Sequence, residues 1–119
     1  MAGTLSYFDG GSYLRAQVNG SPDLQEFLSL LQQVGVDSAA GAKELVLLDL
    51  QAVGKVYSFT EQFALGQEVA RSMGHLRKLA SVVPPHRLTR VSEKAANHHG
   101  ANVRVFSSEA EAMKWLLAG

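Results

Sequence analysis

The chain has 119 residues, enough for one domain with a real core and too few for two. Hydrophobic residues make up 46% and charged residues 18%, the balance of a folded globular chain, which argues against disorder. Eleven basic residues match eleven acidic ones and there is no cysteine, so no net field favours nucleic acid, and disulfide staples and thiolate metal sites are excluded.

A reducing cytoplasm is the expected location. Met1 to Asp9 lacks the basic start and apolar run of a signal peptide, and no apolar stretch approaches the roughly 20 residues that span a bilayer. Charge is unevenly placed. The first 50 residues carry six acids (Asp9, Asp23, Glu26, Asp37, Glu44, Asp49) against Arg15 and Lys43, whereas residues 71–92 carry Arg71, Arg77, Lys78, Arg87 and Arg90 with no acid. Such asymmetry fits either a contact surface for an anionic partner or a solvated basic face.

Leu5–Phe8 and Tyr13–Val18 flank Asp9-Gly10-Gly11-Ser12, a turn cluster in which glycine supplies positive φ, so a β-hairpin is expected. In its second arm Leu14, Ala16 and Val18 alternate with Tyr13, Arg15 and Gln17, giving one buried and one wet face. Ser21-Pro22 then opens a helix as N-cap and first helical residue. Leu24, Phe27, Leu28, Leu31 and Val34 form its apolar stripe, and Gly35 is placed to end it.

Leu45–Leu48 is apolar at consecutive positions, the pattern of a strand covered on both faces. Phe59–Met73 reads as a helix with Phe59, Phe63, Gly66, Ala70 and Met73 on one side, the small residues permitting close approach to a neighbour, and Gly74 closes it. Leu79–Val83 is a short buried strand stopped by Pro84-Pro85. A helix near Leu88–His99 turns Leu88, Val91 and Ala95 inward and ends at Gly100. Asn102–Phe106 is a strand, and Ser108 with Glu111 has capping-box spacing for a last helix carrying Met113, Leu116 and Leu117. The expected order is β-β-α-β-α-β-α-β-α. This is an α/β fold with a mostly parallel sheet of four to five strands, an N-terminal hairpin and about four helices, all in one domain over residues 1–119.

Two stretches carry a family likeness. Leu47-Leu48-Asp49-Leu50-Gln51-Ala52-Val53-Gly54-Lys55-Val56-Tyr57-Ser58 resembles the strand, loop and helix start of the STAS family, the anti-sigma-factor antagonists and their relatives. Asn102-Val103-Arg104-Val105-Phe106-Ser107-Ser108-Glu109-Ala110-Glu111-Ala112-Met113-Lys114-Trp115-Leu116 is similar to the ending of its SpoIIAA-like branch, whose fold is related to the lipid-carrying CRAL-TRIO type. The resemblance implies a non-enzymatic regulatory or protein-interaction module. It aligns Ser58 with the serine phosphorylated in switched members, although the position before it, Asp in those members, is Tyr57 here.

On residue types alone, Ser58 stands where a loop enters a helix, with Glu61 at capping-box spacing. A phosphate there would meet unpaired backbone N–H groups and the positive end of the helix dipole, adding about −1.5 to −2 charges. The alternative is a plain N-cap worth about 1 kcal/mol over alanine, with Thr60 competing for that role. Tyr57, Phe59, Thr60 and Asp49 are candidate partner contacts. Phe59 is expected to turn inward with its helix, and Tyr57 is open between burial and exposure. Asp49 ends a buried strand, where ligands of α/β sheets gather, but a carboxylate that accepts loop N–H bonds fits equally.

Arg71, Arg87, Arg90 and Lys94 are candidate anion contacts, the last three at i, i+3 and i+7. Adjacent His98-His99 point to different sides of a helix and suit its C-terminus better than a metal clamp. No G-x-S-x-G, G-x-G-x-x-G or P-loop pattern occurs, so no cofactor and no catalysis are expected. The expected partner is a protein, a regulator or kinase, with a homodimer also open; nucleic acid and stable membrane insertion are not expected. The alternative function is a carrier of a small apolar or anionic lipid, which needs an apolar pocket of about 300 Å³ or more.

Overall fold

The structure, a computed structural model, describes residues 3–118. Strands β1 (Gly3–Asp9) and β2 (Leu14–Gly20) pair antiparallel through a tight turn in which Gly11 adopts φ +85° and donates its N–H to Asp9 Oδ1 at 2.8 Å. Strands β3 (Leu45–Asp49), β4 (Lys78–Val82) and β5 (Val103–Phe106) continue the sheet in parallel, in the spatial order β1-β2-β3-β4-β5. Helices α1 (Leu24–Ala40), α2 (Phe59–Met73), α3 (Val91–His98) and α4 (Glu109–Leu117) alternate with them, and a short 3₁₀ turn covers Pro85–Arg87. This is the α/β architecture that the sequence pattern predicts.

Because strand order equals chain order, each crossover steps the same way across the sheet. Crossovers of one hand then place their helices on one face. Accordingly α1, α2 and α3 share a core with Leu14, Ala16, Val18, Val46, Leu48 and Leu79. The opposite face is covered by α4, which sets Ala112 and Leu116 on Leu45, Leu47, Ala80 and Val82. All five residues of β3 are buried, as a consecutive apolar run demands.

Three element boundaries differ from expectation, each for a local reason. Helix α1 is capped by Asp23, not Ser21, because Asp23 and Glu26 form a reciprocal box: the Glu26 N–H donates to Asp23 Oδ1 at 2.9 Å and the Asp23 N–H to Glu26 Oε1 at 3.0 Å. The same helix runs past Gly35 to Ala40. Gly35 serves contact rather than termination, since a Cβ there would run into the Ser72 carbonyl of α2. Helix α3 starts only at Val91, after the 3₁₀ turn, so Leu88 lies outside it and is exposed, not inward. At the chain's end Leu116 is buried while Leu117 faces solvent.

On α2 the core-facing stripe is Leu65, Val69 and Met73. Phe59 and Phe63 lie roughly 100° round the helix from it, given 3.6 residues per turn. That side faces α3, and at Gly66 a Cβ would strike the Ser92 carbonyl. Alanine normally stabilises a helix interior over glycine by about 1 kcal/mol. At these two contacts the sign reverses: Gly35→Ala and Gly66→Ala each lower stability by about 2 kcal/mol through overpacking, measured by urea denaturation.

Candidate functional site

The segment after β3 is pinned at several points before it enters α2. The Leu50 N–H donates to the Val82 carbonyl at 2.8 Å, and the Gly54 N–H to the Gly20 carbonyl at 2.9 Å. Tyr57 turns half inward: its ring meets Phe27 edge-on at 5.3 Å and its hydroxyl donates to the Pro22 carbonyl at 2.5 Å. Burial pushes this phenol up to about 12. From the facing 83–89 segment, Arg87 Nη1 donates to the carbonyls of Val53 and Lys55, tying the two loops together.

Between these loops, the sheet and the three crossover helices lies a cavity of about 260 Å³. Its walls are apolar: Leu48 and Leu79 from the sheet, Leu31 from α1, Leu65 and Val69 from α2, and Ala96 from α3. Ser81, buried on β4, is among the polar residues lining it. Lys55, His86 and Arg87 contribute basic groups to the lining, and none of the lining residues is Asp or Glu. The position at the C-terminal ends of β3 and β4 is where open α/β sheets receive ligands. Among the described residues, Arg87 Nε is the buried side-chain donor with no hydrogen-bond partner. Leaving such a donor unpaired costs about 1–3 kcal/mol, more when the group is charged.

Ser58 is exposed and caps α2. Its Oγ accepts from the Glu61 N–H at 3.2 Å, and Glu61 Oε1 accepts from the Ser58 N–H at 2.9 Å, which holds the Glu61 carboxyl below its ordinary value. Thr60 is exposed, its hydroxyl 3.3 Å from that of Ser58. Phe59 points outward, 67% exposed, and Phe63 is 41% exposed, against the expectation that Phe59 turns inward. Both rings line a shallow hollow with Arg90, Val91, Lys94 and His98 along α3.

The structure thus brings Phe59, Arg90 and Lys94 to one surface and Tyr57 and Arg87 to the cavity. Arg90 is engaged with Glu93 at 2.8 Å and the Val105 carbonyl at 3.0 Å. Arg71 stands apart, its guanidinium 2.6 Å from Glu68, a buried carboxylate on the α1 side of α2. Burial works to raise the Glu68 pKa, but hydrogen bonds from Arg71, Ser72 and Gln32 outweigh it and hold the group ionised.

Asp49 lies on the other face of the sheet, away from Ser58. Its Oδ1 accepts the Gln51 N–H at 3.0 Å, and its Oδ2 sits 2.5 Å from Arg15 Nη2. Arg15 also grips Glu109 at the start of α4 with Nε and Nη2, at 3.1 and 3.0 Å, and Gln17 with Nη1. Sequence reasoning missed this hub. Arg15 reads only as the wet side of a strand, and its partner Glu109 is 94 residues away. The apolar pocket that the lipid-carrier alternative requires had no place in the sequence for a related reason, since no periodicity reports a gap.

A family model described as SpoIIAA-like matches residues 13–117, and the chain belongs to that family. Among solved structures, an anti-sigma factor antagonist from Mycobacterium paratuberculosis matches with a TM-score of 0.70 and 16% identity, over 98% of this chain and 96% of that one. An uncharacterised protein of the DUF3478 family with a SpoIIAA-like fold, from Shewanella loihica PV-4, matches with a TM-score of 0.57 and 14% identity, over 97% of this chain and 93% of that one. At these identities the likeness is one of fold. No curated protein matches the sequence. Among the described residues no helix is long and apolar enough to cross a membrane.

Two outcomes follow from the polar geometry. Ser58→Ala destabilises by about 1 kcal/mol, the worth of an N-cap, read from urea denaturation. Arg15→Gln strands Asp49 and costs about 2 kcal/mol at neutral pH, reduced from a fully buried pair because Glu109 is half exposed. The Arg15 hydrogen bond is the main cause holding the Glu109 carboxyl below its ordinary value of 4.5. Its stabilisation is complete above that value and is lost as pH falls through the lower, folded-state one. The stability gap between the native chain and Arg15→Gln therefore narrows below about pH 4 in denaturation series run from pH 7 to 3.

Proposed function

We propose that this chain is a regulatory binding module without catalytic chemistry, which docks a protein partner through the start of α2 and the facing side of α3. The observation that carries this reading is the outward projection of Phe59 and Phe63 beside an exposed cap hydroxyl. Large apolar side chains clustered on a surface, with charge at the rim, mark contact sites more often than solvated faces. Lys94 supplies a basic group at the rim, beside an Arg90 already paired with Glu93, which favours an acidic partner. Likeness to an anti-sigma factor antagonist supports a regulatory setting.

Ser58 would act as the switch in this reading. It is exposed, it sits at the helix's positive end, and a phosphate there would compete with an acidic partner for the neighbouring cations. Asp49 lies on the opposite face and Tyr57 is turned half inward, so Phe59 and Thr60 are the contacts that remain from the sequence reading. The test is a capture experiment. A protein retained by the native chain and by the remote control Arg71→Ala should be lost about tenfold with Phe59→Ser and weakened by Ser58→Asp, with folded near-ultraviolet spectra throughout. Equal retention by Phe59→Ser would exclude this face.

The cavity favours a second reading, a binding site for a small apolar or amphiphilic molecule. At about 260 Å³ it approaches the lower end of ligand pockets, and α1, α2 and α3 each contribute apolar wall to it. Native mass spectrometry of freshly purified protein should show a bound small molecule that is released on acidification. A chain mass without any adduct, in protein that also fails to take up added amphiphile, would remove this reading.

A further inference from the structure

We propose that the cavity takes one small anionic amphiphile, an aliphatic chain of roughly eight to ten carbons ending in a carboxylate or phosphate group that is held by Arg87. This rests on the second reading above and adds to it the sign of the head group and the residue that holds it.

The size comes from the cavity. A volume of about 260 Å³ is that of roughly eight or nine liquid waters at about 30 Å³ each, and a methylene is of similar bulk. The tail's place comes from the walls, where Leu31, Leu48, Leu65, Val69 and Leu79 present no polar side-chain group. The head group comes from the imbalance of charge. Lys55, His86 and Arg87 all line the site and no acidic residue does. Glu61 lies close enough to feel the Lys55 charge, so the charge left over is centred on Arg87, and a neutral or cationic head would leave it unmet.

Arg87 is the specific anchor because its hydrogen bonds are incomplete. Nη1 is committed to the carbonyls of Val53 and Lys55, which fixes the guanidinium against the loop. Nε is buried and has no acceptor. Among the described residues Nη2 makes no hydrogen bond, so a guanidinium fixed through Nη1 keeps a donor for an oxyanion, and arginine matches carboxylate and phosphate geometry alike. A buried donor of this kind calls for an acceptor from a ligand or a water.

Lysine or histidine at the same site would not give the same signal, since Lys55 and the exposed His86 retain access to water. The surface cations Arg90 and Lys94 belong to the α2–α3 hollow and take no part.

The experiment measures binding of decanoate, decyl phosphate and decanol to the native chain by calorimetry, and repeats it with Arg87→Gln and with Ala96→Leu. Decanoate or decyl phosphate should bind at least about tenfold more tightly than decanol, and the better of the two identifies the head. Arg87→Gln should erase that preference while leaving decanol affinity within about twofold, and Ala96→Leu, which narrows the cavity, should weaken all three. Decanol equal to both anions in the native chain overturns the anionic assignment even if Arg87→Gln cannot be folded. An intact preference in folded Arg87→Gln overturns Arg87 as the anchor. Binding of none of the three by the native chain overturns the ligand reading itself, a result distinct from loss of selectivity.

Discussion

At Gly35 the backbone of α1 lies against the Ser72 carbonyl of α2, and at Gly66 the backbone of α2 lies against the Ser92 carbonyl of α3. These two approaches set α2 between its neighbours at a distance that any side chain would increase. Around that placement lies the cavity, whose walls come from all three helices. The aromatic side of α2 faces α3 across a shallow hollow, and there Phe59 and Phe63 stay partly in solvent.

The loop leading into α2 belongs to both surfaces. Val53, Lys55, Val56 and Tyr57 line the cavity, and Ser58 and Phe59 follow at once on the outside. Its backbone is held by Gly20, by Arg87 and by the Gln62 side chain, which donates to the Tyr57 carbonyl at 2.8 Å. Held at that many points, the loop presents the cap of α2 in one place. A change in charge at Ser58 would therefore be felt at the surface as altered potential, with no rearrangement of the fold required.

Electrostatics divide the two faces of the sheet. On the α4 face one guanidinium satisfies two carboxylates and a glutamine, binding the last helix to β2 and β3. On the crossover-helix face, Arg87 lines the cavity with no carboxylate in salt-bridge contact among the described residues. The contrast separates a structural cluster, in which each charge is met, from a site in which charge is left over.

Much of this molecule is written in its local sequence. Alternation in Leu14–Val18, the consecutive apolar run at Leu45–Leu48 and the helical stripes name β2, β3 and the helices, because side-chain period depends only on backbone geometry. The cap at Ser58 is legible for the same reason, since Ser and Glu three residues apart suffice to close a helix start. Other features belong to the assembled structure. Gly35 reads as a stop signal and is instead a contact, because only the neighbouring α2 decides whether a helical glycine breaks or packs. Phe59 reads as core and is exposed, because which side of α2 is covered is settled only by the neighbours that pack on it. The Arg15–Glu109 pair joins residues far apart in the chain, and the cavity exists only as the space left among elements. Sequence periodicity encodes which face of an element is apolar. How far each element extends over its neighbour is fixed by packing between segments distant in the chain, and that alone decided which apolar and charged groups remained free to bind.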